Sequence, residues 1–100
     1  MQIVINRYEN NYTRAVILDY TNGQSYDDYQ VLSVNITGTS IDLKDDEFFV
    51  DINNVPNAKE LLKEHNIATP TNKSDTSGFV TYPVWKLTKE AIAEYDVAKE

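Results

Sequence analysis

The chain has 100 residues, 41% of them hydrophobic and 11% aromatic, and a formal net charge of −7. This apolar content excludes a disordered chain, and the length suits one domain, which we expect to span residues 1–100. The absence of cysteine and the single histidine exclude disulfides and sites built from several Cys or His ligands, so we expect no metal or other cofactor. The acidic balance argues against direct binding of nucleic acid or anionic membranes, because both require basic patches.

Hydropathy gives no sign of a secretory or membrane-spanning segment. No apolar run approaches the roughly 18 residues of a spanning helix. Residues 2–8 alternate between apolar and polar types and do not form the apolar core of a signal peptide. We therefore expect a cytosolic protein.

Three strands are predicted before residue 38. Gln2–Tyr8 alternates, and Thr13–Tyr20 is apolar without a break at its centre, which predicts a central strand buried on both faces. Asn22-Gly23 favours a type I′ turn, because both residues tolerate positive φ. Tyr29–Thr37 alternates again and predicts the third strand.

A short strand and a helix are predicted next. Glu47–Ile52 contains two phenylalanines and reads as the fourth strand. Asn57 then suits the N-cap of a helix, with Pro56 at its start and Glu60 in its first turn. Asn66 is expected to end this helix in the left-handed conformation.

The last third of the chain is predicted to contain a loop, a strand and a helix. Residues 68–77 are rich in Thr, Ser, Asn and Pro, which predicts a mobile surface loop. Gly78 allows a sharp turn into a strand in which Pro83 marks a sheet edge or a bulge. Thr88 is expected to cap a final helix over Lys89–Lys99. The order β-β-β-β-α-β-α predicts an α+β domain, an antiparallel sheet of about four or five strands with two helices on one face.

Two short motifs stand in the second half of the chain, D-x-N-N-x-P at residues 51–56 and S-G-F-x-x-Y-P at residues 77–83. Over roughly residues 47–87 they resemble an uncharacterised family of small proteins carried by conjugative transposons, plasmids and phages of Gram-positive bacteria. The resemblance implies an accessory protein of a mobile element, working in the cytoplasm of a bacterial host, and implies no known reaction. The motif residues themselves are typical of turns and helix entries.

The acidic charge is concentrated between Asp19 and Asp51. This segment contains eight acids and one base, so its charge of −7 equals that of the whole chain. We interpret it as an acidic sheet edge that carries tyrosines and contacts a basic protein partner. The predicted partner-binding residues are Asp19, Tyr20, Tyr26, Asp27, Asp28, Tyr29, Asp42, Asp45, Asp46 and Glu47.

Catalytic interpretations of the sequence are weaker, and we expect that the protein is not an enzyme. Adjacent carboxylates in turns point into water, where nothing raises the pKa of one of them for acid–base catalysis. Residues 42–47 have neither the spacing nor the glycine of a calcium loop. His65 is expected to be packed or half-exposed. Phe79, Tyr82 and Trp85 are expected to form a layer between sheet and helices, not a platform for bases.

Two hypotheses of function follow. The first is a non-enzymatic inhibitor or adaptor that mimics phosphates and blocks a nucleic-acid enzyme of host defence, in the manner of an anti-CRISPR or anti-restriction protein. The alternative is a structural or self-assembling module, for example a homodimer, whose acids only give solubility and protect strand edges.

Overall fold

Antiparallel strands and two short helices make up the fold. The computed structural model describes residues 1–21 and 29–97. Its elements are β1 (Gln2–Arg7), β2 (Arg14–Asp19), β3 (Tyr29–Val31), β4 (Ser33–Val34), β5 (Glu47–Val50), α1 (Ala58–Glu64), β6 (Ala68–Ser77), β7 (Val80–Leu87) and α2 (Lys89–Tyr95). The predicted α+β class is confirmed. The predicted turn at Asn22-Gly23 lies outside the described residues.

The strands form two sheets, with the orders β1-β2-β3 and β4-β5-β7-β6, and every neighbouring pair is antiparallel. β2 is the central strand of the first sheet, and five of its six residues are buried, as its apolar run predicted. The second sheet has β7 between β5 and β6, so the β6–β7 hairpin supplies its two strands on the side away from β4.

The strand predicted over Tyr29–Thr37 is divided between the two sheets at Leu32. The N–H of Leu32 donates to the carbonyl of Val16 at 2.8 Å, whereas its own carbonyl accepts the N–H of Asp51 at 2.9 Å. The N–H of Val16 therefore bonds instead to the Oγ of Ser33, at 3.0 Å. One residue thus ends the first sheet and starts the second, and the single sheet of the prediction is in fact two.

The prediction of a mobile loop at residues 68–77 is wrong, because this segment is the strand β6. It pairs with β7 from Ala68 opposite Leu87 to Ser77 opposite Val80. Its polar composition reflects exposure at the sheet edge, and its threonines favour extended backbone. Gly78, with a φ of 64°, occupies the first position of the two-residue turn, where a type II′ hairpin needs positive φ.

The main core lies between the sheets and the helices. Both helices contribute to it, α1 through Ala58 and Leu62 and α2 through Ala91, as expected for helices packed on one face. The buried strand residues of this cluster include Ile5, Val16, Leu18, Phe48, Val50, Trp85 and Leu87. None of the helices in the described part of the chain is long and apolar enough to cross a bilayer.

A smaller core lies around Phe49, Tyr82 and Val84 of the second sheet. It is covered by the connection between β4 and β5, residues 35–46, which supplies Ile36, Ile41 and Leu43. The predicted aromatic layer between sheet and helices is therefore correct for Trp85. Tyr82 is buried too, but in this smaller core away from the helices. The prediction is wrong for Phe79, which stands fully exposed at the tip of the β6–β7 hairpin.

The helix ends follow local chemistry. Asn66 has a φ of 52° after α1, as predicted, while Asn57 occupies the N-cap position without a side-chain capping bond. The Oγ1 of Thr88 accepts the N–H of Ala91 at 3.0 Å and caps α2, as predicted. α2 ends at Tyr95 and not at Lys99, because the N–H of Val97 donates to Ile5 on β1 at 2.9 Å.

Candidate functional site

The structure distributes the predicted partner-binding residues between the interior and the surface. Tyr26, Asp27 and Asp28 lie outside the described residues. Tyr20, Tyr29, Asp42 and Asp45 are exposed, and Asp46 is partly exposed. Asp19 and Glu47 are each only 4% exposed, which corrects the expectation that their carboxylates face a partner.

The Asp19 carboxylate accepts hydrogen bonds from the segment that follows β2. Its Oδ1 accepts the backbone N–H of Thr21 at 2.9 Å and the hydroxyl of the same residue at 2.8 Å. Nearby, the Tyr20 hydroxyl donates to the Oε1 of Gln30 at 2.7 Å, and Tyr29 lies opposite Asp19 on β3. The two exposed tyrosines therefore sit at the carboxyl end of β2.

The acids of residues 42–47 lie at the other end of the same strand. Asp45 contacts Arg14, the first residue of β2, whereas Asp19 is its last residue. Five residue steps of extended chain separate the two ends by about 17 Å. The described part of the predicted surface is therefore two separate groups, not one continuous acidic edge.

Asp45 is held by two arginines. Its Oδ1 accepts from Arg7 at 2.7 Å and its Oδ2 from Arg14 at 3.2 Å. The Nε of Arg14 also donates to the Asp45 carbonyl at 3.0 Å. The hydrogen bond from Arg7 is the main reason that the pKa of Asp45 lies below its ordinary value. Although its side chain is 75% exposed, much of its charge is already balanced.

Arg14 also forms a buried ion pair with Asp96. The Nη1 of Arg14 lies 2.6 Å from the Oδ2 of Asp96, and both side chains are 3% exposed. The pair ties the start of β2 to the segment after α2, next to the bond from Val97 to Ile5. Sequence reasoning missed it because the partners are 82 residues apart. A charged residue opening an apolar strand was the only local signal.

Glu47 is buried between β6 and the 35–46 connection. Its Oε1 accepts the ammonium of Lys73 on β6 and the backbone N–H of Lys44, the latter at 2.8 Å. Burial alone would raise the pKa of Glu47, but these bonds outweigh it and hold the pKa below its ordinary value. Lys73 also donates to the carbonyl of Asp42 at 3.1 Å, so it fastens the 35–46 connection to β6.

Asp42 and Asp46 are the acids of this group whose carboxylates remain most available. Asp42 is exposed, and its contact with Lys73 uses the backbone carbonyl and not the side chain. Asp46 lies 3.8 Å from the Nζ of Lys86, the longest ion pair of the group, and keeps partial exposure. These two side chains can meet a cation from outside without breaking a buried contact.

The described residues, 1–21 and 29–97, give little indication of a metal site or a catalytic cleft. No group of three or more His, Cys, Asp or Glu side chains there is placed to hold a metal ion. A cleft of about 140 Å³ is lined by amides, hydroxyls and aliphatic side chains, among them Asn11, Asn35, Thr39 and Ile41. An open cleft of about 500 Å³ lies between Ile3 of β1 and Tyr95 at the end of α2.

Fold and contacts together define a small acidic α+β domain in which part of the acidic segment is bonded internally. The chain belongs to the family described as Domain of unknown function (DUF4313), whose model matches residues 2–99. The match covers both halves of the chain and therefore extends well beyond the motifs at residues 51–56 and 77–83. No curated protein and no solved structure matches this chain.

Proposed function

We propose that the protein is a non-enzymatic interaction protein of a mobile element or phage, working in the cytoplasm of a bacterial host. Its partner is a basic protein, a nucleic-acid enzyme of host defence, which it inhibits in the manner of an anti-CRISPR or anti-restriction protein. The observation that carries the proposal is the confinement of the whole net charge to residues 19–51. Its second support is the resemblance of the motifs at residues 51–56 and 77–83 to small proteins of mobile elements.

Among the described acids, this role is assigned to those of the 35–46 connection that can be reached without breaking a buried contact, Asp42 and Asp46. The sequence analysis adds Asp27 and Asp28, which lie outside the described residues. Carboxylates take the place of phosphates against Arg and Lys, because both are anionic acceptors of charge-assisted hydrogen bonds. They also speed association with a basic groove at low salt.

Tyr20 and Tyr29 are assigned as anchors at the other end of β2. Their side chains are large and exposed, and the Tyr20 hydroxyl is oriented by its bond to Gln30. Tyrosines often contribute much of the binding free energy in interfaces where charged groups contribute specificity. The partner would then contact both ends of the first sheet.

Affinity capture from a bacterial lysate tests the proposal, with charge reversal as the variable. Asp42→Lys with Asp46→Lys is compared with Glu60→Lys and Glu64→Lys, two exposed acids of α1 that give the same change in net charge. Asp45 is left intact, because its reversal would also break the contacts with Arg7 and Arg14. We expect a nucleic-acid enzyme to be captured at low salt, lost with the first variant and kept with the control. Equal capture by both variants would refute the assignment of these acids.

The structural or self-assembling module remains the second candidate, and one observation favours it. Among the described acids of the 19–51 segment, the carboxylates of Asp19, Asp45, Glu47 and Asp51 accept hydrogen bonds from other residues of the chain. If stability and assembly are their purpose, charge reversal at Asp42 and Asp46 leaves the function unchanged. Light scattering after size exclusion, which detects self-association, separates this candidate from the first.

A further inference from the structure

β6 is a ten-residue strand at the edge of the second sheet within the described residues. Such an edge usually offers a row of outward N–H and C=O groups to which another strand can add. The register shows which residues of β6 direct their backbone N–H and C=O groups outward, away from β7. The N–H of Leu87 donates to Asp46 on the β5 side, so the alternate residue Lys86 faces β6. Thr69 pairs with Lys86, and the next residue, Pro70, therefore faces outward.

The outward position at Pro70 has no donor. Pro70 lacks an N–H, and the register shifts between Pro70 and Ser74, where three residues of β6 stand opposite Val84 alone. Within this bulge the Thr71 hydroxyl donates to the carbonyl of Val84 at 2.6 Å. The same Oγ1 accepts the N–H of Lys73 at 3.1 Å. A bulge closed in this way bends the edge and interrupts any ladder that a second strand would need.

The far end of the edge is occupied by a neighbouring side chain. In the hairpin closed by Gly78, Ser77 and Val80 form the hydrogen-bonded pair, so the backbone of Thr76 faces away from β7. Its N–H donates to the Oδ1 of Asp75 at 2.9 Å. The other oxygen of Asp75 accepts the hydroxyl of Thr39, which holds the carboxylate in place.

We propose that β6 is closed to strand addition by its own residues: Pro70 and the Thr71 bulge at one end, and the Asp75 carboxylate at the other. Neither a second copy of this chain nor an extended peptide adds to this edge. A partner must therefore contact side-chain surfaces and not the β6 backbone. The inference is independent of the proposed function, because it holds for a monomer of any activity.

Hydrogen exchange followed by NMR tests it on the full chain. Pro70→Thr, Thr71→Val and Asp75→Ala together restore a donor at residue 70, remove the hydroxyl that closes the bulge, and free the N–H of Thr76. Asp75→Asn is the matched control, since it removes the same charge but keeps an Oδ1 acceptor. We expect the amides of β6 to become more protected as concentration rises in the opened variant, and not in the wild type or the control. Concentration-dependent protection of β6 in the wild type would overturn the proposal, and so would its absence in a folded opened variant.

A second measurement keeps the test decisive if the opened variant folds poorly. Asp75→Ala alone, at low concentration, removes the acceptor of the Thr76 N–H. We expect this amide to exchange about two- to tenfold faster than in the wild type, the range that one hydrogen bond of ordinary strength gives. An unchanged rate would show that Asp75 does not occupy the edge.

Discussion

Ser33 is the residue on which the passage between the two sheets depends. It is buried, and its Oγ accepts the N–H of Val16 at 3.0 Å and shares a hydrogen bond of 2.9 Å with the Tyr8 hydroxyl. The usual backbone acceptor for Val16 is lost because the carbonyl of Leu32 accepts from Asp51. Burial also raises the pKa of Tyr8, so its hydroxyl stays protonated near neutral pH.

Ser33→Ala is expected to lower the free energy of unfolding by about 1–3 kcal/mol, because it leaves a buried N–H without an acceptor. Tyr8→Phe removes only the hydrogen bond between the Tyr8 and Ser33 hydroxyls, and we expect it to lower the free energy of unfolding by less. Urea unfolding at neutral pH measures both. Equal losses would contradict the role given to the Val16 bond.

The Arg14–Asp96 ion pair is the second feature at this scale. Asp96→Ala leaves a buried guanidinium with only its exposed partner Asp45, and we expect a loss of about 3–5 kcal/mol. Glu94→Ala, an exposed change on α2, is expected to stay within about 0.5 kcal/mol of the wild type. Arg14→Met combined with Asp96→Leu should recover part of the loss, because no unpaired charge remains buried. A double variant less stable than Asp96→Ala would show that the pair is needed for more than mutual neutralisation.

At the scale of elements, the β6–β7 hairpin depends on its turn. Gly78 has a φ of 64°, a region that residues with a Cβ rarely adopt, while Phe79 beside it is fully exposed. Gly78→Ala is expected to cost about 1 kcal/mol or more, and Phe79→Ser close to nothing. Thermal unfolding followed by circular dichroism compares them. A larger loss for Phe79→Ser would mean that its ring is buried in solution.

At the scale of the whole molecule, acid should destabilise the fold through Asp45 and Glu47. The pKa of each is lower in the folded protein than in the unfolded chain, where carboxyl groups titrate at about pH 4. Their contribution is therefore fully present above that unfolded value and is lost as the pH falls through the folded pKa. We expect the urea midpoint to fall steadily as the pH drops below about 4.

Lys73→Met should move this acid transition to higher pH. Without its ammonium, Glu47 stays buried but loses its main partner, so its pKa should rise. Lys59→Met, an exposed change on α1, is the control for lost positive charge. A transition at the same pH in both variants would contradict the role assigned to Lys73.

The class, the first two strands and the helix ends at Asn66 and Thr88 could be predicted from the sequence, because alternation, an apolar run and capping residues are local signals. The division at Leu32 leaves no such signal, since the residues around it alternate without a break. β6 was missed because an exposed edge strand has the composition of a loop. Burial of Glu47 could not be predicted from charge, because its carboxylate is paired by a residue 26 positions away.

The measurement that tests the central claim most directly is the affinity of the captured partner as a function of salt concentration. If Asp42 and Asp46 replace phosphates, the Kd of the wild type rises steeply with salt, and Asp42→Lys with Asp46→Lys abolishes most of that dependence along with the affinity. The Glu60→Lys and Glu64→Lys control keeps the wild-type slope. An affinity that does not respond to salt, or that falls equally in both variants, would contradict an acidic binding surface at residues 42–46.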